Sequence, residues 1–194
     1  QRCRRWANKI LVIDDLANRK HDCDVLMDQT LGRSDEDYAS LTPSGARLMM
    51  GVDYALIRRE FRNQRSEALA RRNEPVKKIL VSIGGTDTEN LVERILTGIA
   101  EAGLDVVVDL AISDATSNLE SIRELIAKLG KKYRLHLNAD NMAQLMKHAD
   151  LSIGAAGGTS WERCCMGLPS VIVVRAENQQ HIAKNLSKAA AVLN

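Results

Sequence analysis

Aromatic residues are scarce in this sequence of 194 residues, which contains one Phe, two Trp and three Tyr. Proteins that bind single-stranded nucleic acids stack bases on aromatic side chains, so this class is not favoured. The formal net charge of +2 does not indicate a nucleic-acid or membrane-surface partner either. No apolar run approaches the roughly 18–20 residues that a helix needs to span a bilayer.

Cysteine and histidine are also few, and neither is spaced as metal ligands usually are. The four cysteines form no CxxC pair, so we expect free thiols in a reducing cytoplasm and neither zinc nor disulfides: Cys3, Cys23, Cys164 and Cys165. Among the histidines, we expect His136 and His148 to be structural. His181 adjoins a polar loop and retains a chance of touching a ligand. We therefore expect no metal and no cofactor.

What the sequence does contain is a regular alternation of short apolar runs and helical patterns. From Lys78 onward, short apolar runs alternate with segments whose apolar residues recur at helical spacing. This pattern predicts an α/β fold with a parallel sheet covered by helices. The charged stretch 62–75 indicates a domain boundary, which predicts domains over residues 1–61 and 62–194.

Loops that follow parallel strands are where such folds bind ligands. The first loop, Gly84-Gly85-Thr86-Asp87-Thr88, joins a predicted strand to a helix, where glycines let a phosphate approach free backbone N–H groups. The alternative is a tight turn in which Asp87 or Thr88 caps the helix. The loop matches neither a dinucleotide fingerprint nor a P-loop, so both interpretations stay open.

The second loop runs from Gly154 to Glu162 and combines small residues with hydroxyl groups. Glu162 falls in the first helical turn, where its carboxylate can accept both hydrogens of a ribose diol. The alternative makes Thr159 or Ser160 an N-cap and Glu162 its capping-box partner. The third loop, 175–180, carries amide and carboxylate side chains that suit sugar hydroxyls, or it is simply a polar loop.

Together these segments resemble the C-terminal domain of GT-B glycosyltransferases. Residues 141–169 are similar to the UDP-binding segment of the enzyme that adds N-acetylglucosamine to lipid I. A closer resemblance is to the UDP-2,4-diacetamido-2,4,6-trideoxy-β-L-altropyranose hydrolases of pseudaminic acid biosynthesis, and it spans nearly the whole chain. It is carried by these segments in order: Asp14–Arg19, Tyr54–Phe61, Gly84–Asp87 with Asn90-Leu91, and Glu177–Gln179.

The resemblance implies a UDP-sugar substrate and particular roles for residues. Gly84, Gly85 and Thr86 would hold the diphosphate from one side and Gly157, Gly158 and Thr159 from the other. Glu162 would hold the ribose, and the backbone from Leu137 to Ala139 would face uracil, with Arg58 near it. Asn178 and Gln179 would meet the sugar or the diphosphate. Asp14 and Asp15 would lie on the N-terminal side of the cleft.

The resemblance also implies hydrolysis of the sugar–UDP bond without metal, by water attacking the anomeric carbon with inversion. The family's proposed base, a histidine in an N-terminal glycine-rich loop, has no counterpart in this sequence. We therefore expect a fragment that binds UDP-sugar and is itself inactive, lacking the N-terminal catalytic part and incomplete at its C-terminus. The alternatives are a UDP-dependent glycosyltransferase and a non-catalytic nucleotide-sugar-binding module. Oligomeric state is not predicted.

Overall fold

The computed structural model describes residues 3–84 and 90–193, apart from the side chain of Asn178. The chain divides into two compact units, Gln1–Leu56 and Ile57–Asn194. The predicted boundary between residues 61 and 62 falls inside a helix of the second unit, so the structure moves the boundary to Leu56 and Ile57.

The first unit is built on a three-stranded parallel sheet. Its strands are β1 (Leu11–Ile13), β2 (Val25–Asp28) and β3 (Arg47–Met50), in the order β1-β2-β3. Single-turn 3₁₀ helices cover Cys3–Arg5, Asp35–Tyr38 and Val52–Tyr54. The small core contains the buried residues Cys23, Leu26 and Tyr38.

A buried polar cluster closes the C-terminal edge of this small sheet. The Tyr38 hydroxyl lies 2.9 Å from Asp14 Oδ2 and 2.8 Å from Asp28 Oδ2, and Arg33 Nε donates to Asp28 Oδ2 at 2.6 Å. Burial by itself raises the pKa of Asp14, but hydrogen bonds from the Ala17 N–H and the Tyr38 hydroxyl outweigh it, so this pKa lies below its ordinary value. Asp14 is therefore a satisfied, buried carboxylate within the first unit.

The second unit is a five-stranded parallel sheet with the order β6-β5-β4-β7-β8. Each strand leads into a helix, as the alternating pattern predicts. The strands are β4 (Lys78–Ser82), β5 (Val107–Ile112), β6 (Tyr133–Leu137), β7 (Leu151–Ala155) and β8 (Ser170–Val173). The helices are α1 (Arg59–Ala70), α2 (Leu91–Glu101), α3 (Leu119–Leu129), α4 (Met142–His148), α5 (Thr159–Cys165) and α6 (Glu177–Lys188).

Apolar clusters pack on the sheet of the second unit. One cluster joins the apolar sides of α2 and α3 to strands β4 and β5, and includes Val81, Leu96, Val108 and Ile122. Another joins α1, α4 and the end of α5, and includes Phe61, Leu80, Met146 and Met166. Burial of this apolar surface is the main force that holds α1 to the second unit.

Helix α1 belongs to this unit although its sequence is mostly charged. Phe61 and Ala68 are its buried residues, and Arg72, just beyond its end, donates hydrogen bonds to three backbone carbonyls. These are the carbonyls of Met146 at 3.1 Å, Ala149 at 2.6 Å and Met166 at 3.0 Å. The charged stretch 62–75 is therefore a packed helix and turn within the second unit. In the part of the chain that the structure describes, no helix is long and apolar enough to cross a membrane.

Candidate functional site

The sheet of the second unit has a topological switch point between β4 and β7. The chain runs outward from β4 through β5 to β6, then returns to the other side of β4 and continues through β7 to β8. The loops after β4 and β7 therefore leave the sheet in opposite directions and open a crevice. In the β4–β7 pairing, Ser82 is opposite Gly154, which places the first and second predicted loops side by side.

The third predicted loop lies at the same place. Arg175, after β8, donates from Nη1 to the carbonyl oxygen of Gly84 at 2.8 Å, and so joins the third loop to the first. Gln179 Oε1 accepts from the Arg175 N–H at 3.0 Å, which fixes the start of α6 against this loop. The predicted arrangement of Gly84, Gly158 and Asn178 at one edge of a parallel sheet is confirmed.

Glu162 is buried at this edge, and Arg58 holds one of its two carboxylate oxygens. Arg58 Nε donates to Glu162 Oε1 at 2.9 Å, while its guanidinium also lies 4.8 Å from the Phe61 ring centre. Glu162 Oε2 is buried and has no hydrogen-bond partner among the described residues. A buried carboxylate oxygen without a donor is costly, so this oxygen is a ready acceptor for a ligand hydroxyl.

The capping-box alternative for Glu162 does not occur. Helix α5 begins at Thr159, its N-cap is Gly158, and no side chain caps it. The carboxylate that would complete the box is instead paired with Arg58. The first loop cannot be compared in the same way, because Gly85, Thr86, Asp87 and Thr88 lie outside the described residues; α2 begins after Asn90.

The glycines of the second loop differ in their surroundings. A Cβ added at Gly157 or Gly158 would meet no atom within 4 Å, and neither residue has a positive φ. A Cβ at Gly154 would lie 2.2 Å from Arg163 Nη1 and 2.8 Å from the Ser82 carbonyl oxygen. Folding therefore requires glycine at 154, whereas the open space at 157 and 158 is available to a ligand.

Arg163 is a buried residue beside the candidate site that the sequence patterns missed. It is only 1% exposed, and its Nη2 donates to the Ala155 carbonyl at 2.7 Å and to Ser160 Oγ at 2.9 Å. Burial lowers the pKa of Arg163 to about 10, so the group stays charged at neutral pH. Its position next to Glu162, in the helix that follows a loop of small residues, was the available signal, but an arginine on a short helix is ordinarily expected to be exposed.

The remaining predicted residues lie in separate places. Leu137 ends β6 at the outer edge of the sheet, two strands from β4. Arg58 is hydrogen-bonded to Glu162, and its predicted place near uracil stays a prediction. Asn178 is in the first turn of α6, and its side chain is outside the described residues. Asp14 and Asp15 are in the first unit.

The four histidines and the cysteines form no constellation with this site. His136 pairs with Asp109 at 2.9 Å, His148 contacts Arg71 at 3.3 Å, and His181 contacts Asn185 at 3.0 Å. Within residues 3–84 and 90–193, no group of three or more His, Cys, Asp or Glu side chains is arranged to hold a metal ion. All four cysteines are free thiols.

These features define a Rossmann-like α/β domain of the kind that forms the C-terminal half of GT-B glycosyltransferases, with its crevice at the β4–β7 switch point. The family model for the glycosyltransferase family 28 C-terminal domain matches residues 78–194, and the chain belongs to this family. MurG of Acinetobacter baumannii has the same fold, with a TM-score of 0.57 at 18% identity over 98% of this chain and 54% of that one.

Two curated relatives extend the likeness into the first unit. The UDP-2,4-diacetamido-2,4,6-trideoxy-beta-L-altropyranose hydrolase of Campylobacter jejuni is 28% identical over 93% of this chain and 62% of its own length. The spore coat polysaccharide biosynthesis protein SpsG of Bacillus subtilis is 28% identical over 76% of this chain and 43% of its own length. The chain thus spans about half the length of these relatives.

Proposed function

We propose that this chain forms the nucleotide-binding part of a UDP-sugar hydrolase that acts on a diacetamido-trideoxyhexose in pseudaminic acid biosynthesis. The observation that carries the proposal is the unpaired, buried Oε2 of Glu162 at the switch-point crevice. A ribose diol supplies the donors that this oxygen lacks. The named activity of the Campylobacter jejuni relative, which matches 93% of this chain, supplies the reaction.

The proposed site distributes the parts of UDP over the crevice. Glu162 accepts hydrogen bonds from the ribose, and the open space beside Gly157 and Gly158 receives the diphosphate next to Thr159. Gly84, Gly85 and Thr86 bound the diphosphate from the other loop. The backbone after Leu137 faces uracil. The amide side chains of Asn178 and Gln179 meet the sugar or the diphosphate.

In the proposed reaction, a water oxygen bonds to the anomeric carbon as the bond from that carbon to the UDP oxygen breaks. The water proton passes to a base, and UDP leaves with the bonding electrons. The resemblance assigns the base to a histidine in a glycine-rich loop, and no segment of this chain matches that loop. General-base catalysis contributes about 10²–10⁴-fold, so we expect this chain to bind UDP and to hydrolyse UDP-sugar very slowly.

The binding and the reaction are tested separately. Calorimetric titration of the chain with UDP and with ADP should show preference for UDP. Equal affinity for the two nucleotides, or no binding of either, would contradict the proposed nucleotide site.

The reaction is tested by incubating the chain with the UDP-diacetamido sugar in ¹⁸O-labelled water. Label on the released sugar supports attack at the anomeric carbon, and label on UDP contradicts it. Rapid turnover by the chain, with contaminants excluded, would contradict the assignment of the catalytic base to a loop that no segment of this chain matches.

A UDP-sugar-dependent glycosyltransferase is the second candidate. The match to a glycosyltransferase family domain over residues 78–194 favours it, because the same nucleotide site serves transfer to a sugar or lipid acceptor. The coding sequence upstream of Gln1 discriminates the two. A glycine-rich loop that carries histidine supports hydrolysis, whereas an apolar acceptor surface there supports transfer.

The second loop offers a steric test of the diphosphate position. Gly157→Ala and Gly158→Ala should leave the fold intact, since the added methyl meets nothing within 4 Å. The same methyl should occupy space that the diphosphate needs, and we expect UDP affinity to fall about tenfold. Calorimetric titration measures the loss. Gly98→Ala on α2, which also meets nothing within 4 Å, is the matched control and should bind UDP normally.

A further inference from the structure

A buried cation lies beneath the second loop and is only partly paired. Arg163 is 1% exposed, and its Nη2 contacts two loop acceptors, the Ala155 carbonyl and Ser160 Oγ. Its Nε and Nη1 are buried and have no hydrogen-bond partner among the described residues. A guanidinium carries five N–H donors, so more than half of its donors are unmatched within the described structure.

The carboxylate adjacent in sequence, that of Glu162, forms no ion pair with this cation. Glu162 forms its ion pair with Arg58, at 2.9 Å, and no ion pair of 4 Å or less joins Arg163 to a described carboxylate. Burying a charge without a close counter-charge is strongly unfavourable. Replacing a poorly paired buried ion with an apolar side chain of similar size is often neutral or stabilising. A role in stability alone therefore does not account for Arg163.

The guanidinium of Arg163 lies at the switch-point crevice, where β7 pairs with the end of β4. Its Nη1 lies over Gly154, where a Cβ would be only 2.2 Å away, at the point where β7 pairs with the end of β4. Its Nη2 joins the two ends of the loop that contains Gly157 and Gly158. The cation therefore sits under the space in which the proposed diphosphate lies, and glycine at 154 leaves room for it.

We propose that Arg163 is a positioning residue for the nucleotide diphosphate, holding the second loop and supplying from beneath it the positive charge that the diphosphate neutralises. This inference rests on the proposed UDP site. Because the group is buried in a medium of low effective dielectric, its attraction for an anion is only weakly screened by water. The contribution should therefore grow with the negative charge of the ligand.

Arg163→Met tests the charge with little change in volume. We expect its affinity for UDP to fall about tenfold more than its affinity for uridine, with UMP in between. Arg163→Lys restores a cation and should bring the UDP-to-uridine affinity ratio back toward that of the unchanged chain. Arg163→Gln is a second neutral variant whose amide can still donate to the loop, and it should behave as the methionine variant does.

The outcomes separate this inference from the proposed function. If the unchanged chain binds neither uridine nor UDP, the proposed site itself fails. If it binds UDP and the neutral variants keep its UDP-to-uridine ratio, Arg163 is only a brace for the loop and this inference is overturned. The same conclusion follows if both neutral variants fail to fold, since a guanidinium needed for folding is a structural brace. A ratio that falls with loss of charge and returns with lysine supports the inference.

Discussion

Glu162→Gln should lower the affinity of the chain for UDP about tenfold to a hundredfold. A carboxylate makes charge-assisted hydrogen bonds to a ribose diol, and each hydrogen bond to a charged group contributes roughly 1.5–3 kcal/mol. Glutamine keeps an oxygen for Arg58 Nε, which lies 2.9 Å from Glu162 Oε1, so the local pairing can survive. What is lost is the charge and the acceptor at the buried Oε2.

Calorimetric titration with UDP and with 2′-deoxy-UDP makes this test specific to the ribose. The unchanged chain should prefer UDP, and Glu162→Gln should reduce that preference, because the two changes remove the same interaction. Glu124→Gln, on the exposed side of α3, is a matched loss of one carboxylate and should change neither affinity. Equal UDP affinity in a folded Glu162→Gln variant would mean that Glu162 pairs with Arg58 and does not bind the ribose.

Arg72→Met should lower the free energy of unfolding of the second unit by about 2–4 kcal/mol. Methionine keeps the aliphatic part of the side chain but cannot donate to the three carbonyls that Arg72 contacts, those of Met146, Ala149 and Met166. These carbonyls lie at the C-terminal ends of α4 and α5, where the helix offers them no further backbone N–H donor. Hydrogen bonds from a charged donor are stronger than neutral ones, and losing them leaves acceptors of buried residues unpaired.

Urea denaturation followed by tryptophan fluorescence measures this loss. Trp161 is 6% exposed and lies in the second unit, whereas Trp6 is 78% exposed and lies in the first. A Trp6→Phe background therefore assigns the signal to the second unit. Arg62→Met, an exposed position on α1, is the control and should change the free energy of unfolding by less than about 0.5 kcal/mol. An unchanged midpoint for Arg72→Met would mean that water replaces the arginine at no cost.

The sequence by itself determined the class of fold and the edge of the sheet at which the candidate site lies. Apolar strands alternating with amphipathic helices have few arrangements other than a parallel sheet with covering helices. Once the sheet is parallel, residues that follow its strands must gather at one edge, as Gly84 and Gly158 do. The local signals, a glycine loop and Glu162 in a first helical turn, were enough to nominate the site.

Only the tertiary structure decided which partners those residues have. Arg58 and Glu162 are 104 residues apart in sequence, and no local pattern joins them. Instead of the capping box that the sequence allowed, Glu162 forms this ion pair with the distant Arg58. In the same way, Arg175 and Gly84 are 91 residues apart and meet because β7 alone separates β8 from β4.

The boundary of the second unit and the burial of Arg163 also depended on packing. The charged composition of residues 62–75 indicated a domain boundary, but the buried side chains of Phe61 and Ala68 and the hydrogen bonds of Arg72 attach α1 to the second unit. Arg163 is buried because Gly154, nine residues earlier, has no side chain to exclude its guanidinium. Periodicity reports which side of an element is apolar, whereas the space left by a distant glycine exists only after the strands have paired.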